Sequence, residues 1–304
     1  DRDQREEHGQ RRERVELVAG CPPCQGFSKL TDKHDRRDPR NGLVMEMARL
    51  VEELSPSACM MENVPGLGGR GKRTLNAFVR KLESLGYLVE HRVIQAADYG
   101  IPQMRRRLVL LAGRGFRIEF PAPTHAKAPC AGDDKKPWLK LSDAIGGRAR
   151  PARLSKALKN GGPGECGWHV VRDVKKVTLE RLRATPAGGN RLGLPTRLRP
   201  RCHKGDDTGF RNVYGRLSWD QTPPTITSGC TTLSMGRFGH PAQLRTISIR
   251  EAADIQTFPE DYIFDTRFMD AACDLVGNAL PPRLGEVMAS ACLQALKARE
   301  ENRG

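Results

Sequence analysis

Two cysteines stand two residues apart near the start of the chain, in the run Ala19-Gly20-Cys21-Pro22-Pro23-Cys24-Gln25-Gly26-Phe27-Ser28. Three chemistries fit such a pair. Half of a zinc site is one, but no second Cys-x-x-Cys and no His-x-x-x-His accompanies it. A redox dithiol is another, yet it leaves Gln25, Gly26, Phe27 and Ser28 without a role. The third is a single nucleophile, Cys24, on a turn stiffened by Pro22 and Pro23. A thiol with an unperturbed pKa of about 8.5 reacts as its thiolate, so a local field or base must assist it. Two further groups could take part. Glu62 closes the apolar run Ala58-Cys59-Met60-Met61 and is followed by Asn63-Val64-Pro65. Gln103-x-Arg105-x-Arg107 precedes the apolar Leu108-Val109-Leu110-Leu111-Ala112. Alternation along a strand puts Arg105 and Arg107 on one face and Arg106 on the other.

These side chains need strand ends to hold them. Val15–Val18 reads as a short buried strand running into Ala19-Gly20, ahead of the first cysteine. Leu43, Met47, Leu50, Val51 and Leu54 recur at helical spacing and stop at Ser55-Pro56. Ala58–Met61 is a second apolar strand. Lys72–Leu85 fits a helix with Leu75, Phe78, Val79, Leu82 and Leu85 inward and Gly86 as its stop. Tyr87–Ile94 and Leu108–Ala112 read as further strands. Strand and helix alternate, which predicts an α/β sheet with helices on its faces, and sites in such sheets lie where strands end. From Gly113 to Arg245 the apolar runs shorten and Gly, Pro, Arg and Thr dominate, as in a smaller, irregular, basic domain. Order returns at Ile249–Phe258. A closing helix entered through Pro281-Pro282 carries Leu284, Val287, Met288, Ala291, Ala295 and Leu296 as its apolar stripe.

The 304 residues hold 51 Lys and Arg against 36 Asp and Glu, a formal charge of +15. A surplus of that size suits a polyanionic partner, nucleic acid above all. Nine scattered cysteines with no repeated spacing suggest free thiols in a reducing compartment. No run of about eighteen apolar residues offers a membrane span. The basic stretch Lys29–Asn41 reads as a mobile loop.

Taken in order, the motifs resemble those of the cytosine-C5 DNA methyltransferases. Gly20-x-Pro22-Pro23-Cys24-Gln25-Gly26-Phe27-Ser28 resembles the family's catalytic motif, Glu62-Asn63-Val64 its ENV motif, and Gln103-x-Arg105-x-Arg107 its QxRxR motif. Arg245-x-x-Ser248-x-Arg250-Glu251, continued by Gln256-Thr257-Phe258-Pro259, resembles a later supporting motif. Gly277-Asn278-Ala279-Leu280-Pro281-Pro282 resembles the closing GNxxPP motif.

The resemblance implies a Rossmann-like sheet that uses S-adenosylmethionine, with a target-recognition domain at 116–244 and catalytic parts at 1–115 and 245–304. It gives Cys24 the attack on carbon 6 of cytosine and Glu62 a hydrogen bond or proton at ring nitrogen 3, with Arg105 and Arg107 beside them. Pro22, Pro23, Asn278 and Ala279 would line the cofactor. Gln25, Ser28, Arg40, Asn63, Gln103 and Arg237 would meet double-stranded DNA, and no metal is implied. The target base must leave the duplex to be reached. The expected setting is the cytoplasm of a bacterium, at the nucleoid, as a bacterial or phage modification enzyme with a cognate restriction endonuclease. The family opens on a Phe-x-Gly-x-Gly turn and two acidic positions, which do not precede Val15 here. The expectation is therefore an incomplete record or a second chain carrying those motifs, with weak S-adenosylmethionine binding by this chain alone. A transfer-RNA methyltransferase and a non-catalytic DNA-binding relative are the alternatives.

Overall fold

The computed structural model describes residues 15–23, 42–203 and 210–302. Contacts divide the chain into two compact units. One takes the chain up to Ile94, Arg107–Pro121 and the residues from Met288. The other takes Gln95–Arg106 and Ala122–Val287.

The first unit is built on a sheet of β1 (Leu17–Gly20), β2 (Ala58–Asn63), β3 (Tyr87–Gln95) and β4 (Arg106–Arg114), in the order β1-β2-β4-β3. β1 runs parallel to β2, and β2 runs antiparallel to β4. All six residues of β2 are buried. That explains its unbroken apolar run: a central strand covered on both faces shows no polar alternation. Two helices, α1 (Leu43–Leu54) and α2 (Lys72–Ser84), pack with Cys59, Met61, Leu108, Leu110 and Ala112 in one core. α1 ends where Ser55 turns left-handed at φ 45° and its N–H closes on the Val51 carbonyl, just before Pro56. α2 buries Leu75, Phe78 and Leu82 as expected, with Val79 and Leu85 packed beside them. The buried stripe of α1 is Val44, Met47, Ala48 and Val51, so it differs from the spacing read in the sequence. Leu50 is 41% exposed. The smaller Val44 and Ala48 complete the i, i+3, i+4 set that the larger leucines had suggested.

The second unit has short elements: strands β5 (His125–Ala126), β6 (Lys136–Pro137), β7 (Ala152–Arg153) and β8 (Val170–Val171), and helices α3 (Leu141–Ile145), α4 (Leu154–Lys159), α5 (Lys176–Ala184), α6 (Ile249–Ile255) and α7 (Met269–Asn278). α8 (Pro282–Glu301) closes the chain. The core of the second unit joins Leu141, Trp168, Leu217 and Phe238 to α6 and α7. Compactness therefore divides the chain at other points than motif order does. Residues 245–287 pack with the irregular unit, because the apolar faces of α6 and α7 are completed by Trp168, Leu217 and Phe238. α6 starts on a full capping box: Ser248 Oγ accepts from Glu251 N at 3.0 Å, and Glu251 accepts from Ser248 N at 2.7 Å. Arg245 holds the same carboxylate with two nitrogens, at 2.6 and 2.8 Å, so its motif builds a buried joint. Burial alone would raise the Glu251 carboxyl, but the Arg245 hydrogen bonds and charge keep its pKa below the usual value.

Candidate active site

Register places the acid and its arginine. Glu62 lies opposite Val109 across the β2–β4 ladder. Arg107 is two residues from Val109 on β4, on the same face, a diagonal distance that a long side chain bridges. Arg107 Nε meets Glu62 Oε1 at 2.7 Å, with the two side chains only 14% and 8% exposed. Burial pulls the guanidinium's pKa down, against the opposing charge and hydrogen bond of Glu62 and, after them, the pull of Cys21. This face is the reverse of the one that Cys59 and Met61 turn towards α1 and α2. Core packing and chemistry thus use alternate residues of one strand.

Asn63 joins this strand end to the turn after β1. Its Nδ2 donates to the Pro22 carbonyl at 2.9 Å, while its Oδ1 accepts from Val64 N at 2.8 Å. An amide serves both needs at once; an acid lacks the donor and an aliphatic lacks both. Pro22 is half-buried and Pro23 exposed. Cys24 follows Pro22 by two positions and, with Gln25, Ser28, Arg40 and the Lys29–Asn41 stretch, lies outside the described residues.

Arg105 is employed differently from the expectation that paired it with Arg107. β4 begins at Arg106, so period-two alternation does not extend to residue 105. Its side chain is 1% exposed and donates to the carbonyls of Ile226 at 2.9 Å, Gly277 at 3.3 Å and Ala279 at 2.9 Å. Gln103 is buried likewise. It donates to Gln256 Oε1 at 2.9 Å and accepts from Ile226 N at 2.9 Å. Gln256 in turn donates to the Val276 carbonyl. Residues 103–105, 226 and 276–279 are thereby stitched by side-chain amides and one guanidinium. Gln256, which the sequence placed in a supporting motif without a partner, completes this network. Arg106 is exposed, as alternation predicts within the strand.

Asn278 ends α7 exposed, and its side chain forms no hydrogen bond among the described residues. Ala279 is half-buried and its carbonyl is occupied by Arg105. Arg237 donates from Nη2 to Asn212 Oδ1 at 3.0 Å within the second unit. The eight cysteines among the described residues are free thiols. Burial pushes Cys59 up to about 12 and Cys292 up to about 11, values that suit inert packing groups. No helix among the described residues is long and apolar enough to cross a membrane.

Glu62 and Arg107 thus meet on one sheet face, and Asn63 holds the Pro22 carbonyl beside them. Residues 1–294 match the family described as C-5 cytosine-specific DNA methylase. The chain belongs to that family. It is 37% identical over 293 residues to the Type II methylase M.HgiDII of Herpetosiphon aurantiacus, covering 94% of this chain and 78% of that protein. It is 30% identical over 280 residues to the Type II methyltransferase M1.BsuMI of Bacillus subtilis, covering 91% of this chain and 60% of that protein. Among solved structures, a prophage-encoded E. coli protein described as a DNA modification methyltransferase superposes with a TM-score of 0.64 at 20% identity. That match covers 93% of this chain and 80% of that one, and it shows a shared fold. As a C-5 cytosine-specific DNA methylase, the chain is an enzyme of the α/β methyltransferase class, and DNA is the substrate of its family.

Proposed function

We propose that this methylase transfers a methyl group from S-adenosylmethionine to carbon 5 of a cytosine turned out of a specific duplex sequence, in a restriction-modification setting. What supports the reading is the buried Glu62–Arg107 pair at 2.7 Å beside an asparagine that fastens the Pro22 carbonyl. Two residues of chain reach at most about 7 Å, so the nucleophile follows directly from a fastened point. Cys24 as thiolate adds to carbon 6, and electron density moves to carbon 5. Glu62 holds the proton or hydrogen bond at nitrogen 3 that relieves the ring's charge. Arg107 keeps that carboxyl oriented, and Asn63 fixes the turn that carries the thiol. Once carbon 5 is methylated, its proton leaves to a base, the carbon–sulfur bond breaks and Cys24 departs as thiolate.

The residues present fit part of a cofactor holder. The Asn278 amide is exposed without a hydrogen-bond partner among the described residues, whereas the Pro22 carbonyl is already taken by Asn63. We assign Asn278, Ala279 and the Pro22-Pro23 turn to holding S-adenosylmethionine, which supplies an electrophilic methyl group when bound. Residues 116–244 are assigned to target recognition, and Gln25, Ser28 and Arg40 to the DNA strand around the extruded base. The family description names DNA, which favours DNA over transfer RNA as the substrate. Trapping on duplex DNA containing 5-fluorocytosine tests the reading. The wild-type chain with cofactor should give a denaturant-stable adduct, Cys24→Ser none, and Cys21→Ser an undiminished amount. An adduct that survives Cys24→Ser refutes it.

A further inference from the structure

The second unit carries a cleft of about 390 Å³ whose lining combines basic and apolar side chains in an unusual way. Phe210 and Met235 border it and are 60% and 61% exposed. Apolar side chains that open can pack on a ligand that enters the cleft. Arg211 and Arg237 flank them in the same cleft.

Arg237 is seated with care. A Cβ at residue 215 would come within 2.8 Å of Arg237 Cγ, so glycine there leaves room for the arginine's stem. A Cβ at residue 229 would come within 2.4 Å of Met235 Cβ, which gives that methionine its own glycine seat. The guanidinium is anchored at one corner, Nη2 on Asn212 Oδ1 at 3.0 Å. Its Nε is buried without a hydrogen-bond partner among the described residues. A fork held at one corner, with donors left over, is preorganised for a planar acceptor pair. Among the described residues that line the cleft, none is a carboxylate that could take that role.

We infer that this cleft reads a base edge in the major groove of the target duplex, with Arg237, braced by Asn212, set against a guanine and with Met235 and Phe210 packing on neighbouring base edges or thymine methyls. The inference rests on the proposed function for its substrate class and deepens it by naming the reading residue. Three observations favour a base over a phosphate. The arginine stands among apolar side chains, which suit a base edge and offer nothing to a phosphate. Its buried Nε is out of reach, but Nη1 and the second Nη2 proton remain as an end-on donor pair that matches guanine O6 and N7. The chain's charge of +15 already supplies nonspecific attraction to the backbone, so a seated and braced arginine is not needed for it.

The test is selection by binding. The full chain is used to enrich a random duplex library, and the enriched positions are compared for wild type, Arg237→Ala, Arg237→Lys and Met235→Ala. Wild type should enrich a guanine at one or more positions. Arg237→Ala should lose between about 5-fold and 150-fold discrimination at one guanine and keep the other positions. Arg237→Lys keeps charge and stem, so it reports if the alanine variant does not fold; loss of the bidentate fork should cost most of the same discrimination. Met235→Ala should relax an adjacent position. An unchanged consensus in the arginine variants overturns the inference, and so does a wild-type consensus without guanine. Uniform weakening across all sequences, with the salt slope falling by about one, also overturns it, since that is the signature of a phosphate contact. The readout does not need methyl transfer. If covalent trapping fails while guanine is still selected through Arg237, the proposed reaction falls and the reading residue stands.

Discussion

Arg105 and Arg107 are two residues apart, yet their bonds predict opposite outcomes for the same substitution. Arg105→Lys replaces a five-donor fork by a single ammonium, which cannot span the carbonyls of Ile226, Gly277 and Ala279, now held at 2.9, 3.3 and 2.9 Å. Two carbonyls then lose a charged donor in a buried place, at roughly 1–3 kcal/mol each. Because shared networks are not additive, about 2–4 kcal/mol is expected in all. For a domain of about 150–250 residues that is a fall of roughly 4–16 °C in melting temperature. Turnover measured well below that transition should stay within about threefold, because the clamp re-forms around one bond. Arg107→Lys keeps a cation that can still reach Glu62, now bonded at 2.7 Å, so the buried pair is not broken and stability should fall by less than in Arg105→Lys. The oriented carboxyl is lost, however, and turnover should fall at least about 100-fold, a general acid's share. Thermal melts by circular dichroism and single-turnover methyl transfer to DNA, at one pH and salt, measure both. An Arg105→Lys chain that melts with wild type while its turnover collapses would refute the division of labour.

Three further outcomes follow from bonds described above. Asn63→Asp keeps the acceptor for Val64 but loses the donor to Pro22, bonded at 2.9 Å; it should cost about 1 kcal/mol and slow 5-fluorocytosine trapping at least about tenfold, and equal trapping rates count against the role given to Asn63. Arg245→Ala strands the buried Glu251 carboxylate and should cost about 3–5 kcal/mol in urea melts, with Glu251→Ala similar in size and the double variant less than the sum. His240 is held at about 4, chiefly by burial and then by Arg245, while its Nδ1 accepts the Ala242 and Gln243 amides at 3.1 and 2.9 Å. A depressed folded pKa means that the unfolded chain binds the extra proton, so stability is complete above about pH 6.5 and falls by up to about 3 kcal/mol towards pH 4. His240→Gln should flatten that part of the pH–stability curve, and an unchanged slope would show that other groups carry it.

The sheet was legible where burial leaves a signature that spacing can carry. Ala58–Met61 and Leu108–Ala112 are continuous apolar runs because both strands lie inside the sheet, and the structure extends them to Ala58–Asn63 and Arg106–Arg114. α7 escaped notice because, after Met269, its buried residues Ala272, Cys273, Val276 and Gly277 are small and sit beside exposed Leu275. A Cβ on Gly277 would strike Ser228 N at 2.1 Å, a closeness that no periodicity in Met269–Asn278 foretells. Much of the second unit is held likewise by guanidinium and amide bonds to backbone carbonyls. Arg216, for example, donates to the carbonyls of His240 and Pro241. Such bonds have partners far apart in sequence and no period, so a reading based on spacing cannot find them.

The same physics explains why a motif letter is a poor guide to a role. Within Gln103-x-Arg105-x-Arg107, Gln103 and Arg105 are buried and bond backbone carbonyls and amide groups, whereas Arg107 meets the Glu62 carboxylate. An arginine costs free energy to bury, so it persists in a core only where several carbonyls accept from it. Ile226, Gly277 and Ala279 are such a set, and they belong to separate stretches of chain. Removing Arg105 would therefore lower turnover in a crude assay as surely as removing Arg107, through unfolding instead of chemistry. Loss of activity alone cannot tell a clamp from a reacting group; melting temperature measured beside turnover can.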